Sequence, residues 1–398
     1  MKRVIHSQRV CLTLFMKRVD YKRLVFHEKG YSLTTCVFFG DNTFSQIPLS
    51  TVQLQAKNAL LVLGGHLKHS GTAGILRKAL IEKGIKVTVY PNLIATSDVV
   101  TINDLTDYCR HHQFDLLIAV GGGAVMDSVK CSGVLSVNNG AILEYVTGRK
   151  VIGNKRIPVI AAPTTAGTGA EVTPFAVVWG TDKKYSFAHQ LVSPTVAVVD
   201  PRLTYGLPKK ISAEGGIDAL TQSIEALWSQ KHHLIADIYA IEAIQLVINN
   251  LMKALSDDKN ARKAMSRSAL FSGLAIRHTA TTINHALSYP LTIHHHITHG
   301  QAVGVTLPTI MNIIIPILTE ERQKKILNAF GADTVLKASG RVLDLMRKCH
   351  LKTTLGELGV QSEDIPVIIA EGYDPVRMGN SPWIPPKEKL NDLLQSLL

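Results

Sequence analysis

Four side chains in the second half of the sequence have the types that bind a divalent metal. Asp218 and Gln222 are four residues apart, so a helix would place both on one face. His285 and His299 follow further along the chain. A carboxylate with imidazoles suits Fe²⁺ or Zn²⁺, and an open coordination position would hold a substrate oxygen. The residue types alone leave metal binding and an ordinary buried role both open.

Three consecutive glycines, Gly121, Gly122 and Gly123, end an apolar segment and directly precede a helical pattern. Because glycine lacks a Cβ, the backbone N–H groups of such a loop can approach a phosphate closely. The N-terminus of the following helix favours the same anion. The segment contains neither GxGxxG nor the GK[ST] of a P-loop. On its own it therefore fits either a phosphate-binding loop or a tight turn without a ligand.

A second loop, rich in hydroxyl groups and glycines, follows the next predicted strand. Its threonines, Thr164, Thr165 and Thr168, can donate hydrogen bonds to ribose or phosphate oxygens. One such loop is commonly only a loop. Two of them at consecutive strand ends favour a nucleotide-binding crevice, because open α/β sheets bind ligands at the carboxyl ends of their strands.

The elements that would position these loops form a recognisable pattern. Short apolar segments alternate with segments of helical spacing in the first half of the chain, which is typical of a parallel sheet with helices on its faces. The predicted strands cover residues 59–63, 87–90, 114–120, 159–162 and 196–199, and helices are predicted over residues 73–83 and 102–112. Beyond residue 208 strand signals largely vanish, and helical spacing covers residues 213–229, 235–255, 261–287 and 320–330.

We therefore predict a Rossmann-like α/β domain with a parallel sheet, followed by an all-α domain. The expected boundaries are a leader or disordered extension over residues 1–25, a dinucleotide-binding domain over residues 26–205 and a metal-binding helical domain over residues 206–398. The first 24 residues carry seven Lys or Arg against one Asp, which is half of the formal charge of +12. This segment is either a weak targeting sequence or an extension that precedes a later start at Met16.

The remaining composition narrows the class of partner. Outside the leader the positive charges are scattered, with no basic helix face interleaved with aromatics, so we expect no nucleic-acid partner. No stretch reaches the roughly 18 apolar residues of a membrane span, so we expect no membrane partner. The five cysteines form no CxxC pair, which is typical of reduced thiols in a cytoplasmic protein.

Taken together, these segments resemble the iron-containing (group III) alcohol dehydrogenase family over roughly residues 30–398. GGGAVMDSVK is similar to the pyrophosphate loop of that family, and PTTAGTGAEVT is similar to its second cofactor loop. The resemblance implies a dehydroquinate synthase-like architecture, an NAD or NADP cofactor, a divalent metal, Fe²⁺ or Zn²⁺, and a homodimer. It also implies backbone contacts to the cofactor from the three glycines, cofactor contacts from the threonine loop, and a structural or capping role for Asp127.

The resemblance implies that Asp218, His285 and His299 are metal ligands, but two positions depart from the family pattern. Gln222 stands where the family has a ligand histidine, so it remains a ligand through its carbonyl oxygen, leaves a three-ligand site, or marks a lost metal. Tyr289 stands where the family has a histidine near the nicotinamide. Its hydroxyl could serve a proton relay, or its ring could pack against the nicotinamide.

The choice of nicotinamide cofactor depends on the loop after the first predicted strand. This loop contains Gly64, Gly65, His66 and Lys68 and no carboxylate. NAD-preferring dehydrogenases hold an acidic side chain against the ribose 2′-hydroxyl, whereas nearby cations favour the 2′-phosphate of NADP. The loop also resembles that of NADP-dependent members of the family. We expect NADP to be favoured over NAD, and the alternative is that Lys68 is simply solvated.

The function implied is transfer of a hydride between NAD(P)H and a small aldehyde or alcohol, with the carbonyl polarised by the metal. Asp218, His285, His299 and Tyr289 are the catalytic candidates. Glu225 could orient a ligand, although a solvated helix face is the more common environment for such a residue. HALSYPLT is most similar to the branch that contains phosphonoacetaldehyde reductases, which implies an anionic aldehyde such as phosphonoacetaldehyde.

Two other functions stay open. The first is a dehydroquinate synthase-like sugar-phosphate cyclase, for which Lys183, Lys184 and Arg277 are the only obvious phosphate-binding candidates. The second is a nucleotide-binding regulatory protein that has lost its metal through Gln222.

Overall fold

The computed structural model describes residues 31–398 apart from residues 69, 70 and 182, and the side chains of His66 and Lys68 are also not described. The predicted leader over residues 1–25 lies outside the described residues. The strands of the described chain all precede residue 200. They are β1 (Cys36–Phe39), β2 (Asn58–Leu63), β3 (Lys86–Val89), β4 (Leu116–Gly121), β5 (Val159–Pro163), β6 (Phe175–Trp179), β7 (Lys184–Ala188) and β8 (Val196–Val199).

Six strands form the predicted parallel sheet, in the spatial order β1–β8–β5–β4–β2–β3. The chain reverses direction across the sheet after β2, because β3 lies on one side of β2 and β4 on the other. The carboxyl ends of β2 and β4 therefore form the switch point at which sheets of this kind bind ligands. The strands β6 and β7 form a separate antiparallel hairpin, which the sequence pattern did not predict.

Both faces of the sheet are buried, which explains the continuous apolar runs of its central strands. Along β2, Leu60 and Val62 pack into one core cluster, and Leu61 and Leu63 pack into another. The helices of this half cover the two faces and connect the strands. They are α1 (Gln46–Gln53), α2 (Gly65–Lys68), α3 (Gly71–Glu82), α4 (Val99–His112), α5 (Gly123–Leu135) and α6 (Ile142–Val146).

The chain beyond residue 208 is helical throughout its regular elements, as predicted. Its helices pack around one large apolar cluster, and Thr34–Leu398 as a whole forms one compact unit. These helices are α7 (Lys209–Trp228), α8 (Leu234–Leu255), α9 (Lys259–Thr279), α10 (Ile283–His295), α11 (His299–Ile314), α12 (Glu320–Phe330), α13 (Val335–Lys348), α14 (Ile365–Gly372), α15 (Pro375–Gly379) and α16 (Lys387–Gln395).

The prediction of one continuous helix over residues 261–287 was wrong. The chain leaves the helical conformation between α9 and α10, where Ala280 adopts a φ of 56°. No glycine or proline marks the break, so the apolar spacing on either side was read as continuous. The break has a functional consequence, because it makes His285 the third residue of a new helix.

Among the residues that the structure describes, two helical stretches have the length and hydropathy that a membrane span requires. They are Leu234–Leu255 and His299–Ile317, and 44% and 72% of their most apolar windows are buried inside the protein. A core helix of a globular protein meets the same criterion.

Candidate metal and cofactor site

The loop that begins at Gly64 and the glycine loop that begins at Gly121 meet at the switch point of the sheet. The Gly64 N–H donates to the Val120 carbonyl at 2.8 Å, and a Cβ added to Gly64 would lie 3.4 Å from the Gly121 Cα. Gly65 begins the short helix α2 at the same edge. From the neighbouring strand, the Thr164 N–H donates to the Gly121 carbonyl at 3.0 Å. Three strand ends thus line one edge of the sheet.

The threonine loop packs directly against the glycine loop. A Cβ on Gly122 would lie 3.6 Å from Thr165 Cγ2, and one on Gly123 would lie 3.1 Å from Thr168 Cγ2. Helix α5 begins at Gly123 and has no side-chain cap. Its first N–H groups have no partners within the helix and are the donors that an anion binds. The side chain of Lys68, which bears on cofactor choice, is not described.

Asp127 lies within α5, and its carboxylate is hydrogen-bonded to other parts of the protein. Its carboxylate accepts hydrogen bonds from the Val177 N–H at 2.9 Å and from Lys130 Nζ at 3.2 Å. Lys130 also donates to the Ala170 carbonyl at 3.0 Å and to the Phe175 carbonyl. Burial raises the pKa of Asp127, against the opposing effect of Lys130. Together the two side chains tie the glycine-loop helix to the β6–β7 hairpin, a role of Lys130 that the sequence did not suggest.

Glycine contacts hold the threonine loop against the helices that carry the metal candidates. Gly169 has a φ of 60°, and a Cβ there would lie 2.5 Å from the Gly273 Cα of α9. A Cβ on Gly167 would lie 2.8 Å from the Gly215 Cα of α7, three residues before Asp218. Backbone-to-backbone packing therefore fixes the distance between the cofactor loops and Asp218.

Three of the four predicted metal ligands converge from three helices. Asp218 lies in the middle of α7, His285 near the start of α10 and His299 at the first residue of α11. Asp218 Oδ1 lies 3.5 Å from His285 Nε2 and 3.6 Å from His299 Nε2. Candidate ligand atoms of the three residues lie within 4.8 Å of one another. A single ion can contact all three with small adjustments of the side chains.

The state of His285 fits a metal ligand. Its Nδ1 lies 2.5 Å from Glu225 Oε2, which defines Nδ1 as the protonated nitrogen. Its Nε2 is buried, faces Asp218 and makes no hydrogen bond. An imidazole held by a carboxylate on one nitrogen and open on the other is the usual arrangement for a ligand histidine. The residues present therefore fit a divalent cation.

Glu225 was expected on a solvated helix face, and that expectation was wrong. Its side chain is completely buried and caps the start of α10. Oε1 accepts hydrogen bonds from the Asn284 N–H at 2.9 Å, the Thr282 hydroxyl at 2.9 Å and the His285 N–H at 3.3 Å. One carboxylate thus satisfies free N–H groups of the helix terminus and also orients the His285 ring.

The charges of the cluster favour a cation. Burial opposes the charged form of each group, but the positive charges of His299, His285 and Lys184 lower the pKa of Asp218, and His285 lowers the pKa of Glu225. The carboxylates of Glu225 and Asp218 overcome burial and raise the pKa of His285 to about 9. Burial and the nearby Lys184 hold the pKa of His299 well below its usual value. Two carboxylates therefore face the cluster, and a cation bound at His285 Nε2 would take the place of the second proton of that ring.

Gln222 lies beside Asp218, one turn along α7. Its Nε2 donates to Asp218 Oδ1 at 3.1 Å, and its Oε1 accepts from the Ser272 hydroxyl at 3.0 Å. Ser272 Oγ also lies 2.9 Å from the Ala269 carbonyl. If the amide is turned over, Nε2 can donate to Ser272 while the hydroxyl donates to Ala269, so the contact with Ser272 is kept and the hydrogen bond to Asp218 is given up. The turned amide presents its oxygen to the metal cluster.

Tyr289 follows His285 by one turn of α10 and contacts two cations. Lys184 Nζ lies 4.1 Å and Arg377 Cζ lies 4.5 Å from the centre of its ring. Lys184 Nζ also lies 4.7 Å from the ring of Trp179. Burial, reinforced by Arg377, lowers the pKa of Lys184 to about 7, and burial raises the pKa of Tyr289. Arg377 lies in the short helix α15, and no sequence pattern indicated a role for it.

The other two cations considered as phosphate ligands lie in different environments. Arg277 is buried and donates to the Val172 carbonyl at 2.6 Å and to Ser193 Oγ at 3.1 Å, so it holds loops together. Lys183 is exposed and packs over Tyr185. Of the three, Lys184 is the one that contacts Tyr289.

Comparisons with known proteins agree with this architecture. Residues 34–201 match the family described as iron-containing alcohol dehydrogenase, and residues 212–398 match its C-terminal region. The chain is 33% identical to long-chain-alcohol dehydrogenase 1 of Geobacillus thermodenitrificans, over 81% of this chain and 84% of that protein. It is 28% identical to a sulfoacetaldehyde reductase of Bilophila wadsworthia, over 86% of this chain and 92% of that protein.

A solved structure is similar over most of its length. The sulfoacetaldehyde reductase from Bifidobacterium kashiwanohense, in complex with NAD⁺, superposes with a TM-score of 0.88 at 30% identity and covers 93% of this chain and 98% of that one. The chain belongs to the iron-containing alcohol dehydrogenase family. It is accordingly an NAD(P)-dependent, metal-containing oxidoreductase of alcohols and aldehydes, and this assignment sets aside the sugar-phosphate cyclase hypothesis.

Proposed function

We propose that the protein is an NADP(H)-dependent reductase of a short aldehyde that bears an anionic group. We further propose that its metal is held by Asp218, His285, His299 and the carbonyl oxygen of Gln222. The observation that carries the proposal is the Asp218, His285 and His299 cluster, in which His285 Nε2 makes no hydrogen bond, next to the glycine and threonine loops. The surplus of positive charge near Tyr289 supports an anionic substrate.

The proposed reaction converts an aldehyde, NADPH and a proton into a primary alcohol and NADP⁺. When bound, the cation supplies Lewis-acid polarisation of the carbonyl, and the nicotinamide supplies the hydride. Asp218 contributes negative charge to the ligand set, and Glu225 keeps the ring of His285 in its binding orientation. Tyr289, one turn beyond His285, can donate a proton to the product oxygen through its hydroxyl.

Cofactor preference is proposed from the sequence of the β2–α2 loop. Gly64, Gly65 and Lys68 lie at the switch-point edge of the sheet without a carboxylate between them. The similar Bifidobacterium enzyme binds NAD⁺, so the preference of this chain needs a direct test. We expect kcat/KM for NADPH to exceed that for NADH, and Lys68→Glu to reverse the order. A strong preference of the unaltered enzyme for NADH would refute the NADP assignment.

Substrate class is testable with a panel of aldehydes of similar length. Sulfoacetaldehyde, phosphonoacetaldehyde and propanal would be compared by following oxidation of the reduced nicotinamide. We expect the two anionic aldehydes to be reduced with a higher kcat/KM than propanal. The named sulfoacetaldehyde reductases among its relatives make the sulfonate the first compound to test. A higher kcat/KM for propanal than for both anions would reject an anionic substrate.

Two further expectations concern the whole molecule. A homodimer is predicted, and sedimentation equilibrium of the purified chain would test it. A cytoplasmic location is predicted from the cysteines, of which Cys109, Cys131 and Cys349 form no disulfide within the described part of the chain. Cell fractionation would test the location.

A further inference from the structure

Lys184 is a buried cation whose charge no neighbouring carboxylate neutralises. Its residue is 8% exposed, and within the described chain no carboxylate oxygen lies within 4.0 Å of its Nζ. Its close neighbours are the rings of Trp179 and Tyr289, at 4.7 Å and 4.1 Å. Burying an ammonium group without a counter-ion is costly, because ring faces replace only part of its hydration.

A second cation, Arg377, contacts the same ring. Arg377 lies 4.5 Å from the centre of the Tyr289 ring, and its side chain is 15% exposed. Its carboxylate neighbour is Asp374 at 3.5 Å, and that oxygen also accepts the Arg377 N–H at 2.7 Å as the cap of α15. Two like charges around one ring repel each other, so the fold holds them together against their repulsion.

Lys184 and Arg377 lie close enough to the metal cluster to contact a substrate bound there. Lys184 is the first residue of β7, opposite Trp179 in the hairpin that Asp127 and Lys130 anchor. Its positive charge acts on Asp218 and His299. Tyr289 connects the cation pair to the metal cluster, because its ring contacts both cations and it lies one turn beyond His285. A short substrate with its carbonyl at the metal cluster would therefore extend toward the two cations.

We propose that Lys184 and Arg377, held around the Tyr289 ring, bind the anionic group of the substrate and determine its selectivity over neutral aldehydes. The inference rests on the proposed function and adds the residues responsible. An anion placed between the buried Lys184 and the partly buried Arg377 offsets both the cost of burying Lys184 and the repulsion from Arg377. A sulfonate, a phosphonate and a carboxylate share the chemistry that this pair recognises.

The test separates charge recognition from general damage to the site. Lys184→Met removes the charge and keeps the length of the side chain, and Arg377→Gln removes the second charge. Lys183→Met is the matched control, because it removes the same charge one residue earlier from an exposed side chain. For each protein, kcat/KM would be measured with sulfoacetaldehyde and with propanal.

We expect Lys184→Met to lower kcat/KM for sulfoacetaldehyde by about 10- to 100-fold, mainly through KM, because charge-assisted hydrogen bonds to the bound group are lost in ground and transition states alike. The loss for propanal should be at least about tenfold smaller than the loss for sulfoacetaldehyde, since propanal makes no such bond. Arg377→Gln should act in the same direction, and Lys183→Met should change neither substrate.

A binding measurement keeps this inference distinct from the proposed function. The probe is 2-hydroxyethanesulfonate, titrated calorimetrically into the metal-loaded enzyme with NADP⁺, with 1-propanol as the neutral control. We expect the sulfonate to bind the unaltered protein and the Lys183→Met control equally, and Lys184→Met to weaken it at least about tenfold. Equal sulfonate binding by Lys184→Met would overturn the inference.

The combined outcomes separate the two claims. If the unaltered enzyme prefers sulfoacetaldehyde and both Lys184→Met and Arg377→Gln keep that preference, the inference is wrong and the proposed function stands. If the enzyme reduces propanal better but binds 2-hydroxyethanesulfonate through Lys184, the pair is an anion site and the proposed substrate class is wrong. If the unaltered enzyme neither prefers nor binds the sulfonate, both claims fail.

Discussion

The cofactor loops and the metal cluster are built by opposite means. The loops are contiguous stretches at three adjacent strand ends, and we propose that they bind the cofactor through backbone N–H groups that glycines leave accessible. The metal cluster takes one side chain from each of three helices, and a buried carboxylate that was not expected to be buried orients one of them. One region depends on the absence of a Cβ, and the other depends on particular side-chain atoms. Substitutions should therefore separate cofactor binding from metal binding.

The largest effect is expected at the metal cluster. His299→Ala removes a ligand, so bound metal should be lost and kcat/KM should fall by about 10³-fold or more, because carbonyl polarisation is lost with it. Metal analysis of the purified protein and steady-state kinetics would measure both. NADPH binding by fluorescence should remain, since the loops lie on other elements.

His296→Asn is the control for that variant. His296 is exposed in the same inter-helix segment and has a φ of 53°, which asparagine also tolerates. It should keep metal and activity. Full activity in His299→Ala would mean that the cluster does not hold the catalytic metal.

A second prediction concerns the cofactor loop. A Cβ at Gly122 would meet no protein atom closer than 3.6 Å, so Gly122→Ala should fold normally. If phosphate lies against this backbone, the methyl group should weaken NADPH binding by about tenfold, or about 1.4 kcal/mol. Isothermal titration with NADPH would measure the change, and metal content should stay the same.

Gly74→Ala provides the comparison for the loop variant. Gly74 lies in α3, and a Cβ there meets nothing within 4 Å. This variant should bind NADPH as the unaltered protein does. Unchanged NADPH affinity in Gly122→Ala would show that the phosphate does not approach this part of the loop.

A third prediction separates two roles of Tyr289. Tyr289→Phe keeps the ring between Lys184 and Arg377 and removes the hydroxyl. If the hydroxyl donates the proton, kcat should fall about tenfold for sulfoacetaldehyde and propanal alike, with water as a poorer substitute. The preference between the two aldehydes should persist. An unchanged kcat would exclude the relay and leave the ring as a packing element.

The smallest predicted effect is a pH dependence of selectivity. Burial and Arg377 lower the pKa of Lys184 to about 7, against the opposing charges of Asp218 and Asp127. Lys184 is therefore charged below that pH and becomes neutral above it. The ratio of kcat/KM for sulfoacetaldehyde to that for propanal should fall by about threefold between pH 6 and pH 7.5, because a sulfonate does not titrate there and only Lys184 loses charge. In Lys184→Met the ratio should not vary over this range.

The sequence predicted one of the two regions better than the other. Strand ends, glycines and threonines lie close together in the chain, so local patterns identified β2, β4 and β5 and the loops that follow them. The hairpin that carries Lys184 was missed, because its alternating burial includes a lysine on an inward-facing position. The break at Ala280 was missed because the residues around it have no helix-ending glycine or proline.

The metal cluster required information that local patterns do not contain. Asp218, His285 and His299 were identified by resemblance to a family, and their convergence depends on helix packing over 81 positions of the chain. Glu225 was misjudged because a single carboxylate on an amphipathic helix is usually solvated. Its burial follows from the three donors at the start of α10 that it satisfies, and those donors exist only because the preceding helix ends.

We propose that a metal binds between these helices, with Gln222 as its fourth ligand. Locating the ion relative to Gln222 tests this proposal most directly. A crystal structure of the protein with Fe²⁺ or Zn²⁺, with anomalous data collected at the absorption edge of the metal, would locate the ion. We predict one ion about 2.0–2.3 Å from Asp218, His285 and His299, with the amide of Gln222 turned so that its oxygen also faces the ion. An anomalous map without a peak among these residues, from protein that reduces aldehydes, would contradict it.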